Sequence, residues 1–263
     1  MSSPTAAAPA SSAPPPLRDS LVAVTAAAVA ELDPVWKLKP ADIGAALMDV
    51  IPPLVDKWGL ASASVAADWY DNLRESKAVA GRFTAIVPPL DNLGAEALAG
   101  WAAQPVNNPE AAVHALDEPV AAPKLGGLKF VDATAEQPGS LQFLDEQLGN
   151  IDAAQYRAEG GLQKRLVNAA NLTVTTSAAQ DPKARGWMRV TRPGACKFCV
   201  MVASKGGVFT KASSTFACHE NCHCTSVPAW GGQPLPVGPY KPSDRPSTAA
   251  DRVRVREWIA KNL

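Results

Sequence analysis

The chain has 263 residues, with 25 basic side chains against 25 acidic ones, 24 prolines and five cysteines. That length holds one or two domains, and a formal net charge of zero excludes a global pull towards nucleic acid or anionic lipid. The longest largely apolar run, residues 21–30, is shorter than the roughly 20 residues that a bilayer crossing needs, so a soluble protein without a membrane span is expected.

Alanine is about 18% of the chain and aromatics are 6%. Alanine forms helix well and fills a core poorly, which favours long, lightly packed helices. Residues 1–16, MSSPTAAAPASSAPPP, read as a flexible arm, because no basic segment precedes an apolar core as a signal peptide requires. From Leu17, the positions Leu17, Leu21, Val24, Ala28 and Leu32 recur at helical spacing, with Asp19 and Ser20 in the first turn. Asp33-Pro34 breaks this helix and can start another turn. Two further helices are predicted over 41–51 and 58–73, separated or kinked at Pro52-Pro53 by the loss of two backbone donors. Trp36, Trp58, Trp69 and Tyr70 are expected to anchor the bundle core. A short alanine-rich helix follows over 92–103, and residues 104–138 are interrupted by Pro105, Pro109, Pro119, Pro123 and Pro138. Residues 140–171 read as helix interrupted by Gly149 and Gly160-Gly161, and Thr173 to Ser177 is β-prone.

All five cysteines and two of the three histidines lie between positions 196 and 224. The string is Cys196-Lys-Phe-Cys199, eighteen residues, then Cys218-His219-Glu-Asn-Cys222-His223-Cys224. A C-x-x-C turn lets two thiolates converge on one ion while turn amides bond the sulfurs, and a second short element completes a tetrahedron. In a reducing compartment such pairs are more often metal ligands than disulfides. A redox pair, an oxidised pair in an extracellular particle, and unrelated buried thiols are the competing readings; no strand–C-x-x-C–helix thioredoxin pattern supports the first. The expected ion is one structural zinc, with Cys196 and Cys199 as two of its ligands. His219 and Cys222 are suited to the other two places, and Cys224 is an alternative. A strand over 222–226 would send Cys222 and Cys224 to one side and His223 to the other.

Trp187 to Arg192 alternates like a strand, and Pro193-Gly194 turns it into the C-x-x-C. Cys199 to Ser204 suits one or two helical turns, Val208-Phe209-Thr210 is strand-like, and Thr225 to Trp230 closes the unit. The expected fold is therefore mainly α with a small C-terminal α+β, zinc-knuckle-like unit. Its divisions are an arm over 1–16, a helical region over 17–180, the cysteine unit over 185–230, and a Pro/Gly-rich loop with a short C-terminal helix over 231–263. Between 182 and 211 stand Lys183, Arg185, Arg189, Arg192, Lys197, Lys205 and Lys211 with no acidic residue. This stretch is either a solvated face or a patch for DNA or an acidic partner.

The segment W-M-R-V-T-R-P-G-A-C-K-F-C-V-M-V-A-S, a glycine turn before Val208-Phe209, and C-H-E-N-C-H-C-T-S-V-P resemble the C-terminal signature of MuF-like minor head proteins of tailed bacteriophages. The form found in phages of actinobacteria is the most similar. The matching positions are Cys196, Cys199, Gly206, Gly207, Val208, Phe209, His219, Cys222, Cys224 and Pro228, within about 185–230; Glu220 stands where many relatives carry proline. The resemblance implies a minor virion component, present in few copies inside the head near the portal, with portal and other head proteins as partners. It would reside in the host cytoplasm during assembly, and it would have a place in head assembly and at the DNA exit path.

An enzyme reading finds little to work with. Proteins with this tail are sometimes grouped with capsid maturation proteases, yet the sequence has no H-E-x-x-H helix and no G-x-S-x-G elbow. Outside the cysteine unit the histidine is His114, near Asp117, and a serine protease would have to recruit a distant serine such as Ser140. A catalytic zinc keeps an open position, whereas this cluster offers more ligands than the ion needs. A third reading, a DNA-binding zinc module, lacks the ligand spacing of the common sequence readers and would bind DNA non-specifically.

Overall fold

The computed structural model describes residues 14–91, 93–107, 150–191, 195, 197–204, 209–210, 216, 223–231 and 253. In chain order its elements are helix α1 (Leu17–Ala30), a 3-10 turn (Val35–Lys37), α2 (Pro40–Ser76), α3 (Ala95–Asn107), α4 (Asn150–Gln180), strand β1 (Gly186–Val190), helix α5 (Lys197–Ser204) and strand β2 (Thr225–Ala229). The described residues are mostly helix, as the alanine content and helical spacing predict, with one small two-stranded sheet where the C-terminal strand patterns lie. Helices α2, α3 and α4 pack on one another, and α1 lies against α2 and α4.

Helix α1 buries Leu17, Leu21, Thr25 and Ala28. Thr25 is buried as well, while Val24 packs against the core partly buried. The Thr25 hydroxyl donates to the Leu21 carbonyl at 2.8 Å, which satisfies the group without water.

Pro52-Pro53 does not divide α2, which runs unbroken for 37 residues. The two prolines withhold hydrogen bonds from the carbonyls of Met48 and Asp49. Both of those residues are exposed, so water can satisfy the freed carbonyls, while the flanking Ile51, Leu54 and Val55 are buried and hold the segment to the core.

Two further expectations are corrected along α4, which runs through Gly160-Gly161 and through the β-prone Thr173 to Ser177. A Cβ at Gly161 would overlap the Leu98 side chain, so the glycine lets α3 approach closely rather than ending the helix. Thr173 turns its hydroxyl onto the Ala169 carbonyl at 3.1 Å, and Ser177 accepts the Ile86 amide at 2.9 Å. Burial of this face outweighs a β preference worth only a few tenths of a kcal/mol per residue. Residues 140–149, the proline-rich stretch 108–138, residues 1–13 of the arm and the loop over 232–246 lie outside the described residues.

The core has two main parts. One joins Leu32, Ile43, Leu47, Leu98, Leu162 and Leu166 with many alanines, and Trp36 and Trp58 pack at its edge, partly buried. The other joins Leu17, Leu21, Trp69, Tyr70 and Val174 to Trp187 of β1. The small sheet therefore packs on the helices and shares their second core. Among the described residues no helix is long and apolar enough to cross a membrane.

Candidate metal centre

Strands β1 and β2 pair antiparallel, from Gly186 opposite Ala229 to Val190 opposite Thr225. Phe209 adds one antiparallel bridge to Trp187, with backbone bonds of 2.8 and 2.6 Å. Alternation along β1 sends Trp187 and Arg189 inward and leaves Met188 and Val190 exposed. The Trp187 ring lies 4.8 Å from the Phe209 ring and 5.8 Å from that of Phe216.

Helix α5 carries Cys199 in its first turn, and Cys224 immediately precedes β2. Both are 1% exposed, and they share one buried cluster with Val167 of α4, against which Ala195 and Phe216 pack. The fold thus brings together one cysteine from each of the two strings. The Arg189 guanidinium donates to the Cys199 sulfur at 3.7 Å and lies 4.0 Å from the Phe216 ring centroid. The neighbouring His223 faces elsewhere: its Nε2 is 3.4 Å from the Thr25 hydroxyl and its Nδ1 is 3.1 Å from the Gln163 amide nitrogen. Cys196, Cys218, His219 and Cys222 lie outside the described residues.

Of the basic stretch, Lys183 and Arg185 are exposed. Arg189 is not part of a solvated face. At 8% exposure it belongs to the interior of the small unit. Arg192, Lys205 and Lys211 lie outside the described residues, as do His114, Asp117 and Ser140.

Two polar anchors hold this unit on the helices. Asn171, fully buried on α4, donates to the carbonyls of Val167 (2.8 Å) and Cys224 (3.2 Å). Its own Oδ1 accepts the Ser226 amide at 2.5 Å and the Ser226 hydroxyl at 2.8 Å. One side chain therefore fixes both the register of β2 and the backbone at Cys224. The second anchor is Asp181, just past the end of α4. Its Oδ2 accepts from the Tyr70 hydroxyl (3.2 Å), Arg74 Nε (3.0 Å) and Trp230 Nε1 (2.9 Å), and its Oδ1 accepts the Lys183 amide (2.9 Å). Burial alone would raise its pKa, but the bonds from Trp230, the Lys183 amide and Arg74 prevail and hold the carboxyl below the usual aspartate range. Burial, reinforced by the Asp181 charge, raises the Tyr70 phenol well above its ordinary value.

Sequence reading missed both anchors and the inward turn of Arg189. Asn171 carries a weak signal, as an amide on a face otherwise lined by Val167, Ala170 and Val174. For Asp181 no local signal exists, since its partners Tyr70 and Arg74 are more than a hundred positions away.

The family described as VG15 protein matches residues 10–247, which span helices α1 to α5 and both cysteine strings. The chain belongs to the VG15 protein family. This is a family of phage gene products associated with the virion. No curated protein and no solved structure matches the chain significantly. The VG15 match treats the helical region and the cysteine unit as one stretch, in keeping with the shared core and the Asn171 and Asp181 anchors.

Proposed function

We propose that this VG15 protein is a minor head protein of a tailed phage, MuF-like at its C-terminal unit and lodged inside the capsid near the portal. The observation that carries the reading is the family membership over 10–247, taken with the paired strings Cys196–Cys199 and Cys218–Cys224. The long helices supply faces for docking to the portal and to other head proteins, and the cysteine unit supplies a rigid end. Contact with packaged DNA through Lys183, Arg185 and the basic residues after them, the buried Arg189 excepted, is non-specific.

In this reading one structural zinc is held by Cys196, Cys199 and two of His219, Cys222 and Cys224. The burial of Cys199 and Cys224 in a single cluster supports ligands drawn from both strings, and thiolates in a buried site suit zinc over harder cations. The zinc would supply cross-linking rather than chemistry. Structural zinc in small peptides contributes about 10–16 kcal/mol at neutral pH, enough to order a unit as small as residues 185–230.

Mass spectrometry of purified particles beside the free protein tests the assignment. Presence in the mature particle at a few copies is expected. Complete absence, accompanied by trimmed capsid subunits, would favour a maturation protease instead.

A further inference from the structure

Strand β1 is inverted in polarity. Its exposed positions hold Met188 and Val190, at 39% and 43% exposure, while a guanidinium occupies an inward position beside Trp187. Exchanging Arg189 with either neighbour would give the ordinary alternation of apolar inside and polar outside. A buried cation is costly unless negative charge or aligned acceptors meet it, so its position needs a physical reason.

The surroundings supply one. The guanidinium lies over the Phe216 face at 4.0 Å and directs Nη1 to the Cys199 sulfur at 3.7 Å. Stacking of a planar guanidinium on a ring fixes its orientation and leaves its edge N–H groups free to donate in the plane. A neutral thiol is a weak acceptor, whereas a thiolate is a strong one.

We infer that Arg189 is a positioning residue for the candidate centre: stacked on Phe216, it donates to the Cys199 sulfur, fixes where that sulfur points, and places a positive charge beside the buried cluster. The inference rests on the zinc reading above. Three thiolates and a histidine, or four thiolates, carry more negative charge than dipositive zinc neutralises. A buried guanidinium offsets that excess where solvent does not reach. Phe216 is the platform that keeps the cation aimed, which accounts for an aromatic residue between the two cysteine strings.

The test uses the full chain purified under reducing conditions and loaded with zinc, and separately with cobalt, whose thiolate charge-transfer absorption reports on the sulfurs. Wild type, Arg189→Met and Arg189→Lys are titrated against a chelator. Loss of a group bonded to a ligand weakens metal affinity about 10- to 100-fold, and that loss is expected for Arg189→Met, with an altered cobalt absorption. Arg189→Lys should fall between, because an ammonium keeps the charge but neither the fork nor the stack. Methionine of similar length fills the space, so zinc affinity within about twofold of wild type in Arg189→Met would overturn the inference. If circular dichroism shows Arg189→Met unfolded, the lysine variant decides, and affinity equal to wild type would overturn it. A wild-type chain that binds no zinc sinks the zinc reading itself and this role with it, a result distinct from wild type and variants binding alike.

Discussion

The helical region and the β1–α5–β2 unit are held by different means. Helices α1 to α4 bury leucines and many alanines, in which no single contact carries much and close approach depends on small residues such as Gly161. Among its described residues the small unit has two five-residue strands and an eight-residue helix, and it depends on a few directed contacts. Asn171 and Asp181 tie it to α4, three aromatic rings and Arg189 line its inside, and its two described cysteines share one buried cluster. Distributed burial should tolerate single losses there in proportion to volume. Directed contacts should fail all at once.

Asp181→Ala should have the largest effect among single substitutions on this contrast. It strands the Arg74 charge in the interior and frees the Tyr70 and Trp230 donors, at a cost of about 3–5 kcal/mol in a denaturant titration. Acid should reproduce part of this in the wild type. The Asp181 pKa is lower folded than unfolded, so its contribution is complete above the ordinary value of 3.8 and is lost as the pH falls through the depressed folded value. Tyr70 acts at the other end of the scale. Its raised pKa gives a contribution present below about pH 10 and lost as pH rises further, and a stability profile over both limbs checks the two signs.

Leu162→Ala, in the middle of the first core, should cost about 2–5 kcal/mol with unfolding still cooperative. Asn171→Ala should cost about 1–3 kcal/mol by leaving the Ser226 amide unpaired. Hydrogen exchange should locate that loss in β2 and spare α2 and α3. A uniform loss of protection after Asn171→Ala would mean that the two regions are one cooperative body. The smallest effect concerns DNA. Binding through residues 182–211 should be weak and without sequence preference, and should decline with added salt as counterion release diminishes. Selective binding that survives high salt would contradict it.

The helices were legible because amphipathic spacing survives an alanine-rich composition, as at Leu17, Leu21 and Ala28. The proline pair at 52–53 misleads because a lost donor ends a helix only where the freed carbonyls have no water, and that depends on which face is buried. Thr173 to Ser177 misleads for the same reason, since packing against neighbours decides between close propensities. In the small unit the strand pattern was legible to within two residues at β1. Charge counting, however, grouped Arg189 with the other basic residues of 182–211 as a solvated face or a partner patch, although alternation from Trp187 already put the two side chains on one face. Asn171 and Asp181 reach other elements through partners 49 to 111 positions away, and no local pattern reports those.

Metal content is the most direct test of the claim that the small unit is held by directed bonds centred on zinc. Protein purified under reducing conditions should carry about one zinc per chain. Cys199→Ser should abolish it and release 186–230 from protection while α2 to α4 remain helical, and Cys218→Ser should change little. Less than about a tenth of an equivalent in the wild type, with Cys196 and Cys199 joined in a disulfide, would contradict the account.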